Sequence, residues 1–250
     1  MRARAIAAAA FFTAAMLAGS AVAADARTAQ VLADEVDQAL RSSGYRVRAS
    51  VSREGEAAEA ALKVTLVGRR EEAAQRLLIR AVAPDAFRGQ AVSVDTGAGN
   101  AVRAAGYGTA GETGARAVDP YAPVFGSDLV PWDFLSLWWR WPKQARVGEE
   151  AEMGYECVVI ESSGARGPVA RVRSWVAPAL RIPLRVEFYG ADGRLLRAMR
   201  VQQVARRSNG GTAAKLVTIA SANKAQSRFE IYGGEEDLEL PPEAFRPEGK

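Results

Sequence analysis

The chain has 250 residues, with 33 Lys or Arg, 29 Asp or Glu and no histidine. Without histidine it lacks the usual general base, the Ser-His-Asp and Cys-His triads and nearly every zinc site. No basic block with interleaved aromatic residues suggests a nucleic-acid surface. The one cysteine, Cys157, cannot form an internal disulfide and lies in an apolar run, which predicts a buried thiol. The composition therefore favours neither an acid-base enzyme nor a nucleic-acid-binding protein.

The N-terminus has the three parts of a secretory signal peptide. Arg2 and Arg4 precede an apolar run from Ala5 to Leu17, and small residues follow as far as Ala24. An uncleaved membrane anchor is the alternative, but the run is Ala-rich and shorter than the ~20 strongly apolar residues of a span. We predict that residues 1–24 are a cleavable Sec-type signal peptide and that residues 25–250 are a single domain exported to the periplasm. Losing two arginines leaves 33 − 2 = 31 basic against 29 acidic residues, a net charge of +2.

The exported chain begins with a helical pattern. Apolar residues recur every four positions between Thr28 and Ser42, as at Leu32 and Val36, and Gly44 is placed to end the helix in a left-handed conformation. Beyond this point the apolar period becomes that of a strand. It predicts three strands, Tyr45–Val51, Ala61–Val67 and Gln75–Val82.

A Gly-rich stretch without clear period follows, from Thr96 to Pro120. A loop of this length in a compact domain is usually functional or disordered. Its string Gly106–Gly111 matches G-x-G-x-x-G, which holds a pyrophosphate only where a strand precedes it and a helix begins after it. Because no apolar helix follows, we interpret the string as part of a flexible loop and not as a nucleotide site.

Four of the five tryptophans lie within ten residues, 132–141, which we call the Trp segment. Trp132, Leu135 and Trp139 have helical spacing, and a second apolar set shares it. The pattern predicts a helix that begins after Pro131 and is apolar nearly all round. Such a helix is either fully buried, as a lid that plugs the core, or faces a ligand or a membrane with its second side. The sequence leaves both interpretations open.

The second half is a regular succession of strands and turns. Strong turn sequences occur at Gly190–Gly193 and Ser208–Gly211. One helix followed by many antiparallel strands predicts an α+β plan, with a curved sheet wrapped over one or two helices. The predicted strands are Tyr155–Ser162, Ala170–Val176, Leu184–Tyr189, Leu195–Val204, Ala214–Ala220 and Ser227–Tyr232.

Several short motifs in this half carry a family resemblance. They are Phe125-Gly126-Ser127-Asp128-Leu129, Trp132-Asp133-Phe134-Leu135, Ser174-Trp175-Val176, Pro183-Leu184 and Arg185-Val186-Glu187-Phe188-Tyr189 before a turn at Asp192-Gly193. In this order the chain resembles the periplasmic outer-membrane lipoprotein-sorting carriers (LolA-like proteins), especially their uncharacterised branch. It departs from their pattern at Leu129, which replaces Phe, in the Gly-rich residues 95–120 and in the extra Trp138, Trp139 and Trp141.

The resemblance implies a fold and a ligand. The fold is an incomplete, strongly curved antiparallel β-barrel, LolA/LolB-like, with helices covering its open side. Between sheet and helices an apolar cavity would bind acyl chains of lipids or lipoproteins, each buried CH₂ contributing about 0.8 kcal/mol. We expect no catalytic residue, metal or cofactor, and a chain that acts as a monomer. The candidate ligand-binding residues are Trp132, Phe134, Leu135, Trp138, Trp139, Trp175 and Phe188.

Two other functions stay open at this stage. One is a non-enzymatic periplasmic interaction module that docks to an inner-membrane lipid transporter through the Trp segment. The other is an enzyme acting on envelope glycans or lipids, because glycoside hydrolysis needs only two carboxylates, such as Asp128 with Asp133 or a pair from Glu149, Glu150 and Glu152. A cavity of acyl size would favour the carrier, and two convergent carboxylates in a cleft would favour the enzyme.

Overall fold

A computed structural model describes residues 28–247, apart from 54, 58–59, 73, 98–100, 109–113, 165–166, 208–209 and 222–225. The predicted signal peptide, residues 1–24, lies outside the described residues, as does half of the G-x-G-x-x-G string, residues 109–111. Within the described ranges, no helix has both the length and the apolar character needed to cross a membrane.

The predicted N-terminal helix is present and spans residues 28–39 (α1). Its apolar stripe is buried, with Leu32, Ala33 and Val36 in the main core, because this face packs against the sheet. Gly44 does not end the helix, which stops earlier, and lies instead inside the first strand. A Cβ at Gly44 would approach the backbone oxygen of Leu238 to 2.3 Å, so the glycine permits close packing of two chain segments.

In the described residues, thirteen strands form one antiparallel sheet. Its order is β6-β5-β4-β3-β2-β1-β13-β12-β11-β10-β9-β8-β7, so two meanders meet where β1 pairs with β13. β6 and β7 are the two edges, and in the part of the chain that is described the sheet does not close. The strands are β1 Ser42–Arg53, β2 Leu62–Arg70, β3 Gln75–Ala83, β4 Ala91–Thr96, β5 Val102–Tyr107, β6 Arg116–Ala117, β7 Lys143–Glu152, β8 Tyr155–Ser163, β9 Arg171–Ala177, β10 Ile182–Tyr189, β11 Leu195–Arg206, β12 Thr212–Ser221 and β13 Gln226–Glu236.

Every strand that the sequence predicted is present, with its ends shifted by a few residues, whereas β4 to β7 were missed. The prediction of a loop from Thr96 to Pro120 is wrong in part, because β5 and β6 lie inside it. β5 reads Val-Arg-Ala-Ala-Gly-Tyr, and its small side chains produce no apolar alternation. β7 is an edge strand whose residues are mostly exposed and whose one buried side chain is the polar Gln144, so it has no buried apolar face for a pattern to reveal.

One face of the sheet carries the main core, and we call it the inner face. Val51, Phe229 and Val217 are neighbours across β1, β13 and β12, and paired residues share a face. Leu62 of β2 pairs with Val51, and Leu66 lies on the same face of β2 and pairs with Ile79 of β3. The open antiparallel sheet is thus as expected, but a cover of several helices is not confirmed. In the described ranges α1 is the one α-helix, and the rest of the inner face is covered by the Trp segment.

Candidate functional site

The Trp segment is not the continuous helix that its spacing predicts. It consists of two short 3-10 helices, Pro131–Phe134 and Leu137–Arg140, with Pro131 at the start of the first as expected. Ser136 separates them in a left-handed conformation, with φ 48° and ψ 38°. A continuous helix would aim its two apolar sides in opposite directions. The left-handed residue reverses the chain instead, so that rings from both halves reach the same face of the sheet.

The indoles of the two halves converge on Phe188 of β10. Trp132 and Trp138 contact its ring edge-to-face at centroid distances of 5.4 and 5.3 Å, and they lie 5.6 Å from one another. Trp139 stacks behind Trp138 at 5.8 Å, and Trp141 lies 6.4 Å from Trp132. Such offset and edge-to-face pairs each add about 0.5–1.5 kcal/mol to the burial of the rings. The cluster fills the inner face with aromatic side chains.

Burial places the tryptophans of the segment inside the protein. Trp132, Trp138, Trp139 and Trp141 are each no more than 5% exposed, and Leu135 is fully buried. The half-buried Phe134 contacts Phe229 of β13 at 5.5 Å. In this arrangement the segment offers no exposed indole to a docking partner. Its rings occupy the volume in which the resemblance places a ligand.

Trp175 lies on the other face of the sheet. The register of β9 with β10 sets Val172 opposite Phe188 and Trp175 opposite Arg185. Residues three apart on a strand point to opposite faces, so Trp175 and Phe188 do not share a wall. The Arg185 guanidinium covers the Trp175 ring at 4.1 Å, and Trp175 Nε1 donates to Glu150 Oε2 at 2.8 Å. Six of the seven candidate residues are therefore brought together, and Trp175 is separated from them.

A buried arginine at the end of β2 holds the break in the Trp segment. Arg70 Nη1 donates to the Leu135 carbonyl at 2.8 Å and Nη2 to the Ser136 carbonyl at 3.3 Å. Nη2 also pairs with Asp37 of α1, which accepts from Arg140 Nε at 3.0 Å as well. Burial opposes ionisation of Asp37, but the two guanidiniums outweigh it and hold the pKa of this carboxyl below its ordinary value. The charged group thus links α1, β2 and the Trp segment.

Two glutamines satisfy further carbonyls of the segment. Gln75 Nε2, at the start of β3, donates to the Phe134 carbonyl at 3.0 Å. Gln144 Nε2, in β7, donates to the Trp138 and Trp141 carbonyls at 2.9 and 3.1 Å, and its Oε1 accepts from a serine of β8 at 2.7 Å. A short irregular segment leaves carbonyls that no helix or sheet can satisfy, and buried polar side chains do so here. Buried side chains therefore add to the few backbone hydrogen bonds that the two 3-10 helices make.

Asp133 forms the third polar anchor. Its Oδ2 lies 2.6 Å from Nη2 of Arg197 on β11, as an ion pair outside good hydrogen-bond alignment, and the same guanidinium donates to the Asp128 carbonyl. Burial raises the pKa of Asp133 to about 6, although Arg197 acts in the opposite direction. The Asp128 carboxylate accepts from Ser227 Oγ at 2.6 Å. Asp128 and Asp133 are therefore tied to structural partners and do not face one another across a cleft.

Some buried polar atoms of the site have no partner in the part of the chain that is described. They include Nε1 of Trp138 and Trp139, Oγ of Ser174, and one atom each of the anchors Arg70, Gln75, Asp133 and Arg197. An unsatisfied buried donor costs about 1–3 kcal/mol, so the cluster is not optimised purely as a core. A cavity of about 70 Å³ lies beside Phe125 and Phe87, and none of the seven candidate residues lines it. The described residues also contain no group of carboxylates and thiols that could hold a metal ion.

Sequence reasoning missed the polar anchors. Arg70, Gln75, Gln144 and Arg197 occur in or next to strands that read as ordinary half-buried elements. The one signal was Asp37, which follows the apolar stripe residue Val36 and is itself buried. The buried, free Cys157 thiol agrees with its prediction, and burial raises its pKa.

Three solved structures have a similar fold. A DUF1329 family protein from Desulfovibrio piger has a TM-score of 0.77 at 18% identity, covering 89% of this chain and 97% of that chain. A domain from Vibrio parahaemolyticus described as an outer membrane lipoprotein-sorting protein has a TM-score of 0.77 at 15% identity, covering 88% and 97%. A LolA superfamily protein from Nitrosomonas europaea has a TM-score of 0.67 at 16% identity, covering 87% and 97%. At such identities the likeness establishes the fold.

A sequence comparison gives the family. Residues 118–249, more than half of the chain, match the model of a family described as an uncharacterized protein. The chain belongs to this uncharacterised family. The matched region contains the Trp segment, Gln144, Phe188 and Arg197, so most of the site lies within the part that defines the family. No curated protein matches the sequence of this family member.

Proposed function

We propose that this LolA-like protein is a periplasmic carrier that binds the acyl chains of lipids or lipoproteins on the inner face of its sheet. The proposal rests on one observation, that the inner face of the sheet is covered by a short segment and not by a long helix. The inner face is apolar, the sheet is open at both edges, and the rings that cover it belong to a short segment held by side-chain hydrogen bonds. Acyl chains would insert between these rings and the sheet, and the Trp segment acts as a plug in the empty carrier.

The chemistry of the site supports binding over catalysis. Acyl chains need a dry apolar wall, and no proton transfer accompanies their burial. The carboxylates nearest the site are engaged by Arg70, Arg140, Arg197 and Ser227. We propose on this ground that the protein is not an enzyme. The signal-peptide pattern and the fold of a lipoprotein-sorting neighbour support a periplasmic location.

Native mass spectrometry of the mature protein purified from a bacterial periplasm tests the proposal. A carrier should show adducts that dissociate as phospholipid or acylated species. A second experiment uses phosphatidylglycerol with brominated acyl chains, because bromine quenches only indoles beside the chain. We expect strong quenching of the wild type, and Trp175→Phe should keep all of the quenchable emission, since Trp175 lies on the other face.

The matched variant for this experiment is Trp138→Phe, which removes an inner-face indole while keeping an aromatic ring. It should reduce the quenched fraction of the emission, whereas Trp175→Phe should increase it by removing an unquenched emitter. A mature protein without adducts, together with emission that brominated lipid leaves unchanged, would contradict the carrier. Quenching carried by Trp175 alone would place lipid on the outer face and contradict the proposed site.

A further inference from the structure

A polar cleft of about 330 Å³ lies on the outer face, at the ends of β2 to β5. Arg69, Arg76, Asp95 and Arg103 stand side by side there in one row across the four strands. Arg69 and Arg76 are direct cross-strand neighbours, and like charges in this position destabilise a sheet. Three guanidiniums and one carboxylate in a single row therefore call for a further partner of negative charge.

The guanidiniums of the row have unused hydrogen-bond donors. Arg76 Nε donates to Asp95 Oδ1 at 2.6 Å, and Arg69 Nε pairs with Glu71 Oε1 at 3.2 Å. Each pairing uses the Nε side, and in the described ranges the terminal nitrogens of both side chains make no hydrogen bond. Arg103 is exposed and has no hydrogen bond or ion pair with a described residue. The cleft thus has three partly or wholly free guanidinium groups.

An aromatic side chain orients two of these groups. Phe245, in the 3-10 helix Pro242–Phe245, packs on the outer face against Val67 and Leu78. The guanidiniums of Arg76 and Arg69 lie 5.4 and 5.8 Å from its ring centre. Cation–π contact fixes the planes of the guanidiniums and leaves their edges available. A preoriented guanidinium loses less conformational entropy when it binds an oxyanion in bidentate fashion.

We propose that this cleft is a binding site for a phosphate group. The cleft is lined by three positively charged arginines and by two negatively charged carboxylates, Asp95 and Glu71. One positive charge is therefore left over for an anion. Paired guanidinium edges match the geometry of phosphate oxygens. The volume accommodates a phosphate with an attached group, either in a lipid headgroup or in a soluble phosphate compound. Gln75, which also lines the cleft, anchors the Trp segment, but the charged row lies on the outer face and phosphate binding needs no acyl chain on the inner face.

Titration of the mature protein with inorganic phosphate, followed by ¹H–¹⁵N NMR of arginine Nε–H and backbone groups, tests the site. We expect saturable shifts at Arg69, Arg76 and their neighbours. Arg103→Gln should weaken this binding about tenfold, the loss of one charge-assisted interaction. Asp95→Asn should strengthen it, because the substitution removes the competing carboxylate. Arg88→Gln is the matched control, since Arg88 is equally exposed but pairs with Asp85 in a distant turn.

Sedimentation with vesicles of phosphatidylglycerol or phosphatidylcholine identifies the source of the phosphate. Binding to phosphatidylglycerol that requires Arg103 identifies a lipid headgroup, whereas Arg103-dependent binding of inorganic phosphate alone identifies a soluble compound. If neither probe depends on Arg103, or if Arg88→Gln weakens binding as much, the cleft is not a phosphate site. Loss of acyl-chain quenching has no bearing on these outcomes, so the two proposals fail separately.

Discussion

Truncation of one buried indole distinguishes a core residue from a ligand contact. Trp138 is 2% exposed and contacts Trp132, Trp139 and Phe188. A tryptophan side chain buries about 150–250 Å², which at ~25 cal/mol per Å² corresponds to roughly 4–6 kcal/mol. Removing the Nε1–H group, which has no hydrogen-bond partner, offsets about 1–3 kcal/mol of this lost stability. The difference is about 1–5 kcal/mol, and the truncation also leaves a cavity. We therefore expect Trp138→Ala to lower the free energy of unfolding by about 3–5 kcal/mol, the range for such truncations.

Urea unfolding followed by far-UV circular dichroism measures this change without relying on indole fluorescence. Trp138→Phe is the control, because it keeps a ring against Phe188 and removes the unsatisfied donor. It should cost less than half as much as Trp138→Ala. If Trp138→Ala changes the unfolding free energy by less than about 1 kcal/mol, the indole does not support the core, and the reasoning from burial is refuted.

Three further changes have definite expected results. Arg70→Met should cost about 3–5 kcal/mol in urea unfolding, and the double variant with Asp37→Asn less than the sum, because the pair is buried together. The pKa of Asp133 is raised from 3.8 to about 6, which means that the folded state binds this proton more tightly than the unfolded state does. The contribution of Asp133 to the free energy of unfolding is therefore greatest below pH 4. It falls by up to about 3 kcal/mol as the pH rises through 6. The difference in unfolding free energy between wild type and Asp133→Asn, measured in urea from pH 4 to 7, should change with pH in this way. A difference that does not vary with pH contradicts the expectation. Gly126→Ala should lower the thermal midpoint, since φ is 62° and the added Cβ would meet the Phe87 ring at 2.7 Å, and an unchanged midpoint contradicts this.

The sequence predicted those elements in which one face is apolar and the other is not. The α1 stripe and the alternation in β10 are of this kind, because their buried residues differ sharply from their exposed ones. β7 lacks a buried face and β5 lacks large side chains, so neither has a period to detect. The prediction therefore failed for strands that are determined by pairing with their neighbours in the sheet and not by their own apolar pattern.

The candidate site was predictable in its aromatic residues but not in its conformation or anchors. The spacing of the Trp segment fits a helix, yet the left-handed Ser136 is determined by contacts with distant residues. Arg70 lies 65 residues from Leu135, whose carbonyl it satisfies, and no local pattern reports such a pairing. The sequence did not show on which face of β9 Trp175 lies. Apolar side chains occur on both faces of this strand, so the pattern does not distinguish the inner face from the outer one.

The energetics of the plug limit the kind of cargo that can open it. Exposing Trp132, Trp138, Trp139 and Trp141 to water removes about 600–1,000 Å² of burial, or roughly 15–25 kcal/mol. One sixteen-carbon acyl chain returns only about 13 kcal/mol at ~0.8 kcal/mol per CH₂, whereas two chains return about twice that. Full displacement of the segment thus requires at least two chains in the same cavity. A single chain therefore lies against the rings and does not expose them to water. Brominated monoacyl phosphatidylglycerol should accordingly quench the indoles without shifting their emission to longer wavelength. Such a shift with the monoacyl lipid would mean that one chain exposes the rings to water, and it would contradict this limit.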